Sequence, residues 1–182
     1  MAPSPPVAHT TPPDASDFRK QRTDGLRRSC TIWYMIVDSS VEIDAPAATV
    51  WDVFADVERW PEWTASVERI VALDGPGIEV GKRFEIKQPR LPNLVWEVTE
   101  LEPGRSWSWR HRRTGATTVA THEVVPQDSG PTLVRQRIDQ RGPIGVAVGL
   151  HMLRLTKRYL RLEADGLKAR SEQGKHHGAA PA

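Results

Sequence analysis

The sequence predicts an α+β fold, a curved antiparallel sheet of about seven strands wrapped around a long C-terminal helix, with two short helices after strand 1. Three observations point there. Short runs in which apolar and polar residues alternate recur along the chain, most of them divided by turns rich in Gly, Pro and Asp. Residues 47–63 interrupt this alternation with helical spacing. Residues 144–171 then hold apolar side chains at helical spacing without a break.

Residues 37–43 alternate and form the first strand, which Asp44-Ala45-Pro46 ends, with Pro46 placed for a first helical turn. Residues 47–55 set Val50, Trp51, Val53 and Phe54 at helical spacing, with Trp51 expected in the core. Asp56 caps a second short helix or turn through Trp60-Pro61-Glu62-Trp63. The later strands are residues 67–73, 82–88, 94–101, 106–112, 117–125 and 132–140. Their short breaks argue for an antiparallel meander. On the final helix, Val148, Met152, Leu155, Tyr159 and Leu162 share one stripe. Val146, Leu150, Leu153, Leu160, Ala164 and Leu167 share an adjoining one. Arg154, Lys157, Arg158, Arg161, Asp165 and Lys168 fill the remaining arc, which reads as the solvated face. So wide an apolar arc exceeds what a surface helix needs and fits a helix gripped on two sides by a curved sheet.

The ends differ from the middle. Residues 1–34 open with Pro3, Pro5, Pro6, Pro12 and Pro13 and continue polar and aperiodic. Such a segment cannot bury enough apolar surface to offset its ordering entropy, so it reads as a disordered tail. It holds five basic and three acidic side chains, so the whole net charge of +2 sits there and residues 35–182 balance at zero. Residues 172–182 read as a second disordered tail, leaving residues 35–171 as the folded domain. Arg27-Arg28 precedes an apolar run of about eight residues, which lacks the cleavage site of a secretion signal. A cytoplasmic chain is therefore expected. Met35, just ahead of the first strand, is the expected start of translation, with residues 1–34 as upstream sequence. Peptides from residues 1–34 in the natural host would refute that.

A chain of 182 residues is long enough to bury a sizeable core. The excess of 25 Lys and Arg over 23 Asp and Glu is too small to imply nucleic-acid binding by charge. The single cysteine, Cys30, excludes an internal disulfide framework and a multi-cysteine zinc site. No apolar run reaches the ~18 residues of a membrane span, so no stable membrane insertion is expected. Tryptophan is the outlier, with seven among twelve aromatic residues.

Strand parity assigns the concave face. Phe84, Ile86 and Gln88 point in, as do Leu94, Trp96 and Val98, then Trp107, Trp109 and His111. Ala120, His122 and Val124 follow, and finally Val134, Gln136 and Ile138. Ser106, Ser108 and Arg110 point out, with the charged residues of the other strands. The inward set is aromatic with a few neutral polar tips, the material of a small-molecule pocket. Tryptophans burying roughly 150–250 Å² each could instead fill the interior. The inward His and Gln favour a cavity, because a dry core would have to satisfy each polar tip.

Val41-Glu-Ile-Asp-Ala-Pro46, Val50-Trp-Asp-Val-Phe54 and Asp56-Val-Glu-Arg-Trp-Pro-Glu-Trp63 occur in this order. Gly81-Lys-Arg-Phe84, Trp96-Glu-Val-Thr-Glu-Leu-Glu-Pro-Gly104 and the terminal helix follow. Over about residues 37–170 the chain resembles the START and polyketide cyclase/dehydrase superfamily (SRPBCC), whose fold is the helix-grip. The resemblance marks the fold and says little about chemistry, because one scaffold hosts many functions. It implies an apolar or aromatic ligand held between the sheet and the long helix. Some members cyclise or dehydrate polyketides, and many only bind and carry lipids, sterols or quinones. It also implies that Trp60 to Trp63 lie at or near the cavity mouth. The candidate ligand-binding residues are thus Trp63, Phe84, Trp96, Trp107, Trp109, His111, His122, Gln136 and Met152.

His122 and His111 are the inward groups able to act as general acid or base, with His122 the catalytic candidate. An anchoring hydrogen bond is the plainer role for either. A metal would need a third ligand, but His151 sits at the helix edge and the strand carboxylates point outward, so no metal site is expected. Residues 74–81 are glycine-rich without dinucleotide spacing and enter no helix, so no cofactor is expected and they read as a loop that could gate the cavity. Three functions fit. The first is binding or carriage of a small hydrophobic or aromatic ligand, lipid, polyketide or quinone-like. The second is a polyketide cyclase/dehydratase using His122. The third is an interaction module with a filled core.

Overall fold

The computed structural model describes residues 33–173, so the assignments made for residues 1–32, Cys30 among them, and for residues 174–182 lie outside it. β1 (Tyr34–Ile43) leads into α1 (Ala47–Ala55) and a 3-10 helix (Val57–Glu62). Then come β2 (Arg69–Ala72), β3 (Arg83–Lys87), β4 (Leu94–Glu102) and β5 (Ser106–Arg113). β6 (Ala116–Val125), β7 (Thr132–Arg141) and α2 (Pro143–Glu172) complete the order. β1 starts three residues earlier than its alternation suggests, because Tyr34, Met35 and Ile36 find partners in Arg141, Gln140 and Asp139 of β7.

The seven strands form one sheet in the order β1-β7-β6-β5-β4-β3-β2, antiparallel throughout. β2 to β6 are each hydrogen-bonded to the next strand in sequence, the arrangement of a meander. A bulge between Val98 and Glu100 breaks the β4–β5 register and bends the sheet. The concave face follows the parity pattern: Phe84, Val98, Trp107, Val124 and Val134 are buried almost completely. Ser108 departs from it. It points outward yet is buried, and its hydroxyl shares a 3.1 Å hydrogen bond with that of Thr121.

α2 lies across the concave face, and its position is set by close backbone approaches. Gly142, just before Pro143, has φ 85°, and a Cβ there would lie 2.5 Å from the Gly115 carbonyl oxygen. The helix therefore begins hard against the β5–β6 turn. At Gly166 a Cβ would lie 2.2 Å from the Trp63 carbonyl oxygen, so helix and loop meet there without a side chain between them. The wide inward arc expected of the helix holds only for its C-terminal half. Tyr159, Leu160, Glu163, Ala164, Leu167 and Ser171 are buried, whereas the first half buries only Gly145 and Gly149. Leu150 is 61% exposed, which corrects its place on an inward stripe. It stands seven residues before Lys157, and two turns of helix bring both to the same angular position on the cationic face.

Candidate functional site

The concave face is covered in two ways. α1 and the 3-10 helix pack one end solid. Phe54 stacks on Trp60 at 5.5 Å. Trp107 meets Phe54 edge-on at 4.7 Å and stacks on His122 at 4.5 Å. The Trp60 indole N–H donates to the Phe54 carbonyl at 2.9 Å, so this large side chain is buried with its polar atom satisfied. Trp51 packs edge-on against Trp107 from the margin of the same core. At the other end the N-terminal half of α2 crosses the sheet without filling the space below it, leaving a cavity of about 710 Å³. Trp60, Trp109, His122 and Glu163 bound it where the packed aromatic cluster begins. Leu91, Pro92, Arg113, Thr114, Ile144 and Val148 line its exposed mouth.

Trp96, Trp109, His111, His122 and Met152, all candidates from the sequence, lie in the cavity wall. Phe84, Trp107 and Gln136 face the same way but stand behind that wall. Parity gives the face a side chain occupies, not what covers it. Trp107 is covered by α1, Phe84 lies beside Trp109, and Gln136 is taken up by a hydrogen bond to Glu163. Trp63 is not in the wall either. Its ring packs on Trp60 at 5.4 Å and its carbonyl presses on Gly166. The 74–81 loop contributes no lining residue. Gly77 N–H donates to Glu58 at 2.9 Å and Asp74 holds Arg83, which fixes the loop away from the cavity.

Sequence reasoning missed Glu163. It lies in the buried half of α2, lines the cavity and accepts two hydrogen bonds, from Ser66 Oγ at 2.9 Å and Gln136 Nε2 at 3.0 Å. Ser66 is itself 3.0 Å from the Thr64 hydroxyl. One carboxyl thus ties α2 to β7 and to the loop after the 3-10 helix. Burial pushes its pKa up to about 7, against the opposing pull of the Ser66 and Gln136 hydrogen bonds. The signal was present: Glu163 follows Tyr159 by four residues and precedes Leu167 by four, so it had to share their face.

His122 is poorly placed for charge. Burial drives the pKa of His122 down to about 3, with only a lesser opposing contribution from the Trp107 backbone. It is a neutral imidazole across the physiological range, and its Nδ1 has no hydrogen-bond partner. His111 Nδ1 lies 2.8 Å from the Val95 carbonyl, which can only accept, so Nδ1 donates there, while Nε2 has no hydrogen-bond partner. No group of three His, Cys, Asp or Glu side chains able to hold a metal occurs among the described residues. No helix among them is long and apolar enough to cross a membrane.

A family model described as polyketide cyclase/dehydrase and lipid transport matches residues 35–172. Among solved structures, norcoclaurine synthase of Thalictrum flavum, a point mutant in complex with a transition-state analogue, is similar with a TM-score of 0.65 and 14% identity, covering 80% of this chain and 98% of that one. The Zhui aromatase/cyclase from Streptomyces sp. R1128 is similar with a TM-score of 0.63 and 18% identity, covering 78% of this chain and 95% of that one. At these identities the likeness is one of fold.

Proposed function

The chain belongs to the polyketide cyclase/dehydrase and lipid transport family, and from that premise we propose that it binds a small hydrophobic or aromatic ligand, lipid, polyketide or quinone-like, between the sheet and α2. The observation that carries the reading is the cavity of about 710 Å³ with three tryptophans in its wall, Trp60, Trp96 and Trp109. Ligand sites of about 300–1,000 Å³ lined by aromatic and aliphatic side chains with a few polar groups take molecules of this kind. Arg113 is at the exposed mouth and His122 inside is neutral, so the depth of the cavity offers no cation to a charged headgroup. The buried end of the ligand is therefore not anionic. A filled-core interaction module accounts for none of this hollow.

A cyclase or dehydratase is the second reading, and one observation favours a form of it. Glu163 is a cavity carboxyl whose pKa of about 7 suits proton transfer near neutrality, whereas His122 is too weak a base. Native mass spectrometry of freshly purified protein tests the first reading: an apolar compound should co-purify, and protein that is always empty and binds no lipid, quinone or aromatic probe would refute it. Incubation of a reactive poly-β-ketone with wild type, His122→Ala and Glu163→Gln tests the second. An enzyme gives a product profile distinct from the protein-free control and loses it in Glu163→Gln. Identical profiles remove catalysis.

A further inference from the structure

Three stretches of the chain contain no acidic residue, 86–96, 103–122 and 140–162. The fold brings all three to the cavity mouth, where Leu91 and Pro92, Arg113 and Thr114, and Ile144 and Val148 line its edge. Elsewhere on the sheet cations are neutralised: Arg83 by Asp74, Arg110 by Glu97, Arg135 by Glu123 and Arg137 by Asp38. Arg90, Arg112, Arg113, Arg154 and Arg158 have no ion-pair partner among the described residues. Two of them converge from different elements. Tyr159 of α2 donates its hydroxyl to the Pro89 carbonyl, which brings the β3–β4 loop to the helix. Burial raises the pKa of that hydroxyl and Glu68 adds a smaller push the same way, while Arg90 and Arg158 both lower it, so both guanidinium groups act on one phenol. Arg112 and Arg113 stand at the tip of the β5–β6 hairpin, whose Gly115 packs on Ile144.

Amid these cations are aliphatic side chains that a water-facing surface does not need. Ile144 and Val148 are each 51% exposed while also lining the cavity. A rim of unpaired cations around exposed aliphatics is complementary to a bilayer, with anionic headgroups over the first and acyl chains beneath the second. An acidic protein would match the cations and leave the aliphatics without a counterpart. We propose that the cavity mouth is a docking surface for the anionic face of a lipid bilayer, with Arg90, Arg113 and Arg158 over headgroups and Ile144 and Val148 entering the acyl boundary. Docked in this way, the cavity opens onto the reservoir of apolar ligands, and an apolar ligand need not cross water to reach it. That use rests on the ligand-binding reading; the docking itself does not.

Vesicle flotation of the full chain without added ligand tests the proposal, comparing phosphatidylcholine vesicles with vesicles that also contain phosphatidylserine. Binding should need phosphatidylserine and weaken as salt rises. Each Lys or Arg at an anionic surface strengthens partition roughly fivefold, so Arg113→Glu with Arg158→Glu should weaken it by at least about twentyfold. Arg113→Lys with Arg158→Lys should retain binding, and Val148→Glu should lose it. Circular dichroism melts should match the wild type throughout, because these side chains are exposed and unpaired. Equal binding to both vesicle types would overturn the proposal. So would undiminished binding by the charge-reversed pair, which would put attachment on the basic residues between Arg19 and Arg28. Binding to soluble polyglutamate as tight as to anionic vesicles would overturn it in favour of an acidic protein. None of these results bears on whether the cavity holds a ligand, which mass spectrometry decides separately.

Discussion

From Tyr159 to Ser171, α2 presses leucine, alanine and a hydrogen-bonded glutamate into the fold; from Pro143 to Thr156 the same helix buries only Gly145 and Gly149 and spans a hollow. The sheet beneath divides at the same place, with Phe54, Trp60, Trp107 and His122 packed ring on ring at one end and a 710 Å³ cavity at the other. Stability and ligand capacity are thus carried by opposite ends of one interior. Close packing at the first end rigidifies the sheet, and the second end is free to stay open because little of the fold depends on it.

The largest break in this contrast should come from truncating Phe54, which is wholly buried and touches Trp60, Trp107 and His122. Phe54→Ala should cost about 3–5 kcal/mol in urea unfolding, whereas Val148→Ser at the mouth should stay within about 0.5 kcal/mol. Similar losses at both positions would mean that the two ends do not differ. Two glycines on α2 sharpen the contrast. Gly166→Ala places a Cβ 2.2 Å from the Trp63 carbonyl oxygen and should cost about 1–3 kcal/mol. At Gly145 a Cβ would meet nothing nearer than 3.5 Å, so Gly145→Ala should be neutral or stabilise the helix by up to about 1 kcal/mol.

A pH series probes the boundary between the ends, where His122 and Glu163 both stand. The pKa of His122 is about 3 in the folded state against 6.5 as a free side chain, so its contribution to stability is lost as pH falls below 6.5. That of Glu163 is about 7 against 4.5, so its contribution is complete below pH 4.5 and lost as pH rises towards 7. Between pH 4.5 and 6.5 the slopes oppose, and wild-type stability should be nearly flat. Glu163→Gln removes one slope, so its stability should fall by about 1.4 kcal/mol per unit as pH drops through that window. Unfolding midpoints at several pH values decide it: a variant as flat as the wild type would mean that burial does not hold His122 neutral.

Much of the fold was legible because it rests on local rules. Alternation and Gly/Pro turns located all seven strands, and parity placed Trp96, Trp109, His111 and His122 on the face that carries the cavity. The rest depended on what lies opposite. Trp107 and Gln136 point inward like Trp109, but α1 and Glu163 cover them, and no strand pattern encodes where α1 docks. The helix misled for a related reason. Leu150 looks like a core residue by composition, yet it crosses the mouth on the side away from the sheet. Glu163 looks like a solvated one, yet Ser66 and Gln136 give it partners from segments 97 and 27 residues away.

The pairing of β1 with β7 joins Tyr34 to Arg141 and Ile43 to Thr132, across nearly the whole described chain. During synthesis the first strand leaves the ribosome long before its only neighbour exists. It must wait as an unpaired edge until the meander is complete, and so distant a closure makes folding slow relative to a helical protein of this size. A nascent chain stalled before residue 132 will therefore hold an unprotected β1, and that is the stage at which a chaperone has something to cover.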